Sequence, residues 1–170
     1  HKGLDILIEA FKIYKNERGK GLLYLVGDGP DKQKLQKLST KYNLDNDIKF
    51  LGSLYDDAKS DFLDNCAGFI HTSRWEGMPM AILEAMAHGV PLIITRETNL
   101  DEYVENKGAG LIISPNTIEN IVSKLKEFES IYENDYERYR RMCIQSQQLI
   151  IEDLNWKNIA NKTIEELYDF

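Results

Sequence analysis

The chain has 170 residues, of which 42% are hydrophobic and 29% charged, the make-up of a single folded domain and not of a fibre or a disordered tail. Lys and Arg number 21 and Asp and Glu 28, for a net charge of −7, which excludes a general electrostatic field for the DNA or RNA backbone. Any anion must therefore be caught by local groups. Two cysteines, Cys66 and Cys143, cannot frame a disulfide-built fold and point to a reducing compartment. No apolar run approaches the ~20 residues of a membrane span, and no secretory leader opens the sequence. His1-Lys2-Gly3-Leu4 runs directly into a helical pattern, which reads as a cut end.

Leu4, Leu7, Ile8, Phe11 and Tyr14 fall at helical spacing and predict an amphipathic helix over 4–14. The apolar run 22–26 stops at Gly27-Asp28-Gly29-Pro30, a buried strand followed by a turn. Pro30 suits a helix start, and Leu35 and Leu38 carry that helix to about Tyr42. Strands are predicted at 48–51, 68–72, 91–95 and 110–113, with helices near 56–65, 79–88 and 100–105 between them. Beyond Pro115 the pattern is helical throughout, near 117–131, 135–151 and 156–168. Strands alternating with helices imply an α/β domain, a Rossmann-like parallel sheet with helices on both faces. Such sheets bind ligands beyond the carboxyl ends of their strands, which directs attention to the turns after Val26, Leu51, Thr72 and Thr95.

The segment Ser73-Arg74-Trp75-Glu76-Gly77-Met78-Pro79 leaves one of those strand ends and enters the helix Met80-Ala81-Ile82-Leu83-Glu84-Ala85-Met86-Ala87. A helix start offers unpaired N–H groups and the positive end of the helix dipole, which suits a phosphate. Gly77 has no Cβ to keep a ligand away. Pro79 has no N–H, so the donors would come from Met78, Met80 and Ala81. The same geometry also describes an ordinary strand–turn–helix corner. Glu84 interrupts a helix that is apolar on nearly every side, so it is expected to be buried, and a buried carboxylate needs hydrogen-bond donors. A ribose diol would satisfy it, and so would a neighbouring loop. Glu76, in the loop, could accept from a polyol or lie in solvent.

Glu76 and Glu84 together form E-x7-E, and with Gly77-Met78-Pro79, Leu83-Glu84-Ala85-Met86-Ala87 and Gly89-Val90-Pro91 they resemble the nucleotide-sugar half of family 4 retaining glycosyltransferases of the GT-B fold. Lys2-Gly3-Leu4-Asp5, Val26-Gly27-Asp28-Gly29-Pro30, Phe50-Leu51-Gly52, and the terminal Trp156 and Tyr168 are similar to further family segments in the same order. The resemblance implies the second half of a GT-B fold, with residues 1–170 forming one donor-binding domain and an N-terminal acceptor domain absent. It implies that Glu76 holds hydroxyls of the donor sugar and Glu84 the ribose hydroxyls. The amides of Met80 and Ala81 would meet the diphosphate, and Gly77 and Met78 would line the sugar. Lys2 would pair with the diphosphate and, with Glu76, serve catalysis. Gly27 would lie near the nucleotide, and Gly52, Ser53 and Leu54 would edge the base.

The implied reaction is hexosyl transfer from a UDP- or GDP-type sugar to a polysaccharide or glycolipid acceptor, with no metal and no other cofactor. The implied location is cytoplasmic, with the inner face of a membrane reached only through the missing half. An epimerase of the same architecture and a non-catalytic nucleotide-binding module are the alternatives. Other signals are discounted. Asp45-Asn46-Asp47 spells Asp-x-Asp but falls at the end of the sheet opposite the crevice. Gly27-Asp28-Gly29 is a lone G-x-G with Lys32 where a dinucleotide fingerprint needs a small residue. His88 fits a helix C-terminus, Arg74 a solvated loop, His71 an occasional ligand contact, and the run 132–141 a solvated helix face. Asn161-Lys162-Thr163 spells a glycosylation acceptor with nothing to indicate secretion.

Overall fold

A computed structural model of the chain describes residues 1–77, 79–155 and 158. The element order is α1 (Leu4–Asn16), β1 (Leu23–Val26), α2 (Lys32–Lys41), β2 (Ile48–Gly52), α3 (Asp56–Asp64), β3 (Phe69–His71), α4 (Met80–Ala87), β4 (Leu92–Thr95), α5 (Asp101–Lys107), β5 (Gly110–Ile113), α6 (Ile118–Asn134) and α7 (Tyr136–Gln148). A single 3-10 turn, Arg96–Thr98, links β4 to α5, and a π turn, Leu149–Asp153, extends α7. The alternation expected from the apolar runs is the alternation observed, in an α/β fold. The expected terminal helix, with Trp156, Ile159, Ile164, Leu167 and Tyr168, lies outside the described residues, as does Asn161-Lys162-Thr163.

Every strand pair is parallel, yet the hydrogen-bonded ladder falls into two pieces, β1–β2 and β3–β4–β5. The expected single sheet is thus interrupted between β1 and β3. These strands have only four and three residues, and the interruption is bridged by helix packing. Leu7, Ile8, Ala10 and Phe11 of α1 sit in one core with Leu23 and Ile48 from the first piece and Ile93 and Ile113 from the second. Ile121 and Val122 of α6 close the same side.

Side chains alternate across a strand, and β4 shows the consequence. Ile93 faces the α1/α6 core, whereas Leu92 and Ile94 face a second core built on Ile82, Ala85 and Met86 of α4, Val104 of α5 and Leu149. All four residues of β4 are buried, so its continuous apolar run marks a central strand covered on both faces. The long helices begin at side-chain caps: Thr117 accepts from the amide of Asn120 at 3.3 Å, and Asp135 from that of Arg138 at 3.0 Å.

Tyr14 joins the helical layer to the loop after α1. Its hydroxyl donates to Glu129 at 2.8 Å and accepts from the Gly21 amide at 3.0 Å, and burial pushes its pKa up to about 12. The run 132–141 is exposed as expected except at Tyr139, whose hydroxyl donates to the Ala67 carbonyl at 2.9 Å and whose ring meets Phe128 and Tyr132 edge-on. Cys66 and Cys143 are free, half-buried thiols whose pKa values burial raises.

Candidate functional site

The turns after β3, β4 and β5 meet at the end of β3, where Glu76 bonds to Glu97 and Asn99 and Asn116 bonds to Thr72. Gly3, in left-handed backbone at φ +66, lets the chain pass so close to β3 that a Cβ there would stand 2.1 Å from the Thr72 carbonyl oxygen. The Thr72 hydroxyl ties that approach down, donating to the carbonyls of Lys2 at 3.2 Å and Gly3 at 3.1 Å. From the other side, Asn116 Nδ2 donates to the Thr72 carbonyl at 3.1 Å. The start of α1 is thus fixed at the end of β3, and Lys2 is placed beside the β3–α4 loop.

There Lys2 Nζ forms a short ion pair with Glu76 Oε2, and His71 Nε2 lies 3.1 Å from the same oxygen. The Lys2 hydrogen bond, with the His71 contact adding to it, holds the Glu76 carboxyl below the usual carboxylate range. Burial holds the His71 imidazole below its ordinary pKa, against the opposing pull of Glu76. At neutral pH the pair is then carboxylate and neutral imidazole. An ionised carboxylate can only accept, so Nε2 carries the proton and donates. Both of these donors meet Glu76 through Oε2. The backbone of Glu76 is held as well: its amide donates to the Glu97 carbonyl at 3.1 Å, and its carbonyl accepts from Asn99 Nδ2 at 3.0 Å.

Arg74 is an exposed loop arginine, as the sequence suggested, and its guanidinium donates to both carboxylate oxygens of Asp5 at 3.0 Å. His88 meets Asp64 at 2.7 Å at the far end of α4, a structural role as anticipated.

Helix α4 begins at Met80, with Pro79 supplying the first acceptor to the amides of Ile82 and Leu83. Met80 and Ala81 are exposed, and first-turn amides lie outside a helix's own ladder. Met78 lies outside the described residues. Gly77 is exposed, and a Cβ there would meet the Trp75 ring at 3.3 Å. Glu84 requires a correction. Its side chain is 39% exposed and pairs with Lys59 of α3 at 2.7 Å, so the expected burial does not occur. Only Ile82, Ala85 and Met86 of α4 are buried. The alanines and methionines around Glu84 were compatible with surface as well as core, as exposed Met80, Ala81 and Ala87 show, and α4 buries one face only.

The turns after β1 and β2 are joined by Asp28, which pairs closely with Lys32 and accepts from the Ser53 amide at 3.0 Å and hydroxyl at 3.3 Å. The Ser53 amide is therefore occupied by Asp28. Gly27, at φ +122, donates to the Gly52 carbonyl at 2.7 Å and has no heavy atom within 4 Å of where a Cβ would stand. Ser53 is exposed and Leu54 half-buried at the same rim. Asp45 and Asp47, at the opposite end of β2, are engaged by Thr40 at 2.7 Å and Lys15 at 2.9 Å. Among the described residues no group of three or more His, Cys, Asp or Glu side chains could hold a metal ion. No described helix is long and apolar enough to cross a membrane.

Four residues that hold the candidate site residues or the rim escaped the sequence reading or were discounted in it: His71, Asn99, Lys59 and Asp28. Asn99, Lys59 and Asp28 act across more than 20 residues of chain, on Glu76, Glu84 and Ser53, and only Asp28 falls in a quoted motif.

Comparison with known proteins follows this geometry. Residues 1–149 match the profile of the glycosyl transferases group 1 family. The chain belongs to that family. It is 27% identical over 166 residues to a putative colanic acid biosynthesis glycosyltransferase, WcaL, of Salmonella typhimurium, covering 93% of this chain and 40% of that protein. An uncharacterized glycosyltransferase of Methanocaldococcus jannaschii is 35% identical over 127 residues, 74% of this chain and 34% of that one. The chain therefore spans well under half the length of these glycosyltransferases. Among solved structures, Staphylococcus aureus TarM superposes with a TM-score of 0.81 at 21% identity, over 96% of this chain and 32% of TarM. Anabaena HepE, solved with UDP and glucose, superposes with a TM-score of 0.77 at 23% identity, over 99% of this chain and 45% of HepE. A C-terminal domain of a group 1 glycosyl transferase from Francisella tularensis gives 0.75 at 21% identity, over 91% of this chain and 80% of that one. The fold of this group 1 domain is thus that of the GT-B glycosyltransferases.

Proposed function

We propose that this group 1 domain is the donor-binding, C-terminal half of a retaining hexosyltransferase that uses a nucleotide-diphosphate sugar. The observation that carries the reading is the convergence of Lys2, His71 and Glu76 beside the exposed start of α4, with Glu84 one turn farther along. Four helical residues advance about 6 Å, roughly the spacing between the diphosphate and the ribose of one nucleotide.

In this reading Met80 and Ala81 amides bind the diphosphate and Glu84 accepts from the ribose diol. Glu76 Oε1 accepts from hydroxyls of the sugar, which Gly77 and Met78 line. Gly27, Ser53 and Leu54 edge the base. As the bond between the sugar C1 and the diphosphate oxygen breaks, negative charge grows on the leaving oxygen. The dipole of α4 and the Lys2 ammonium stabilise it from fixed positions. An ammonium has three donors, so Lys2 can keep Glu76 and still reach a phosphate. The acceptor hydroxyl forms the new bond to C1 with net retention, and its proton passes to the departing diphosphate oxygen. A preceding domain would hold that acceptor, a polysaccharide or glycolipid, since transfer needs both reactants at attack distance; this chain alone would bind donor without turnover. No metal is assigned a part.

The test compares a nucleoside diphosphate with its sugar conjugate. Glu76→Ala should weaken binding of the nucleotide sugar about tenfold and leave the bare diphosphate within twofold. Equal losses for both would contradict the role given to Glu76.

A further inference from the structure

Helix α3 is an acidic helix. Its nine residues carry Asp56, Asp57, Asp61 and Asp64 against one lysine. That lysine, Lys59, pairs across to α4, where its ammonium lies 2.7 Å from Glu84 Oε1 with both side chains little more than one-third exposed. We propose that Lys59 is a positioning residue of the nucleotide site: it neutralises Glu84 and fixes its carboxylate so that the anionic nucleoside diphosphate can dock there. The inference rests on the assignment of Glu84 to the ribose.

The chemistry of the pair favours retention of Lys59 when nucleotide binds, not its displacement. An ionised carboxylate has about four lone-pair sites on two oxygens. Lys59 takes one on Oε1, which leaves the remaining Oε1 site and both Oε2 sites for the two hydroxyls of a ribose. The charge balance points the same way. A nucleoside diphosphate brings its phosphates to the start of α4, about 6 Å along the helix from Glu84. An unpaired carboxylate at that distance repels them, in a chain that already carries a net charge of −7. With Lys59 in place the carboxylate presents acceptors with little net charge. Lys59 also binds α3 to α4, and α3 starts where the β2–α3 turn ends, so the same contact ties the Ser53-Leu54 rim to the ribose position.

Four proteins test this by calorimetric titration: wild type, Lys59→Met, Glu84→Gln, and the double variant. Each is titrated with UDP, GDP and ADP, and the tightest of the three is compared with its 2′-deoxy form. Lys59→Met should weaken the diphosphate about 5- to 20-fold at low salt and less at 0.5 M NaCl. It should also reduce the preference for ribose over 2′-deoxyribose, while Lys59→Arg restores both. In the Glu84→Gln background, adding Lys59→Met should cost clearly less, because only the long-range attraction of the ammonium for the phosphates is then lost and no carboxylate is left to position. Tighter binding by Lys59→Met would mean that the lysine competes with the ribose, and would overturn the proposal. So would an unchanged affinity, or an equal loss in the Glu84→Gln background. If none of the three diphosphates binds wild type, the donor-site reading falls first and this inference with it. Binding that is intact in Lys59→Met but lost in Glu84→Gln overturns only the role of Lys59.

Discussion

Gly3→Ala probes both the stability and the site of this domain, because Gly3 delivers Lys2 to the end of β3. Two separable costs apply. Left-handed backbone costs an L-residue such as alanine about 1–2 kcal/mol, and Gly3 sits at φ +66. The second cost is steric, since the new Cβ would lie 2.1 Å from the Thr72 carbonyl oxygen and 3.3 Å from its hydroxyl. Relief requires a shift of roughly 1 Å in a segment held by two Thr72 hydrogen bonds, and forced overpacking of this kind costs about 1–3 kcal/mol. Gly108 separates the two terms. It has φ +70 but no heavy atom within 4 Å of its would-be Cβ, so Gly108→Ala should show the backbone cost alone. Gly29, with neither feature, is the neutral control.

Urea unfolding should rank the variants Gly29→Ala, Gly108→Ala, Gly3→Ala in increasing loss. The Gly3→Ala loss, about 2–5 kcal/mol, corresponds to a fall in Tm of roughly 5–15 °C for a domain of this size. If the segment frays to escape the clash, stability falls less, but Lys2 leaves Glu76 and nucleotide-sugar affinity drops instead. Gly3→Ala indistinguishable from Gly29→Ala in both stability and binding would refute the reasoning.

Other expectations follow from the same contacts. Glu84→Ala should cost nucleoside diphosphate binding about 1–3 kcal/mol if the ribose bond is charge-assisted, and an unchanged affinity in the folded variant would remove Glu84 from the site. Tyr14→Phe removes a hydroxyl that both donates to Glu129 and accepts from Gly21, so urea unfolding should show a loss of about 1–3 kcal/mol; no change would mean that neither bond matters in solution. His71 has a folded-state pKa below its unfolded one, so the unfolded chain binds the proton first as pH falls. Stability should therefore decline as pH drops through about 6.5 and level off below the folded value, and His71→Asn should flatten that stretch of the curve. The Glu76 carboxyl, held low, adds stability above its unfolded pKa that is lost as pH falls through the folded one, and Glu76→Gln should remove that acid-range component.

Much of the fold was legible because each element carries a local signal. Leu92, Ile93 and Ile94 of β4 read as a continuous apolar run, and the buried face of α1 reads at helical spacing. Glu76 and Glu84 stood out in the sequence as candidates for a similar reason, since both flank one helix start at fixed separation. What could not be read were partners brought together by topology. Lys59 is one lysine among many until α3 is laid beside α4, and His71 is an ordinary strand residue until the loop returns Glu76 to it. Asp28 joins two turns that lie far apart in the chain. Glu84 was misjudged for burial because alanine and methionine occupy surface and core alike. The break between β1 and β3 likewise leaves no mark in the apolar pattern, since helix α1 supplies the same burial on both sides of it.

Backbone amide shifts offer the most direct measurement of the donor-site reading. A two-dimensional NMR titration of the isotope-labelled chain with UDP, GDP and ADP reports where a nucleotide binds without assuming turnover. At least one of them should move the amides of Met80 and Ala81 most, together with those of Gly27 and Leu54 at the rim. Shifts confined to the opposite groove between α2 and β2, around Gln36, Thr40 and Lys49, or no shifts at millimolar nucleotide, would contradict it.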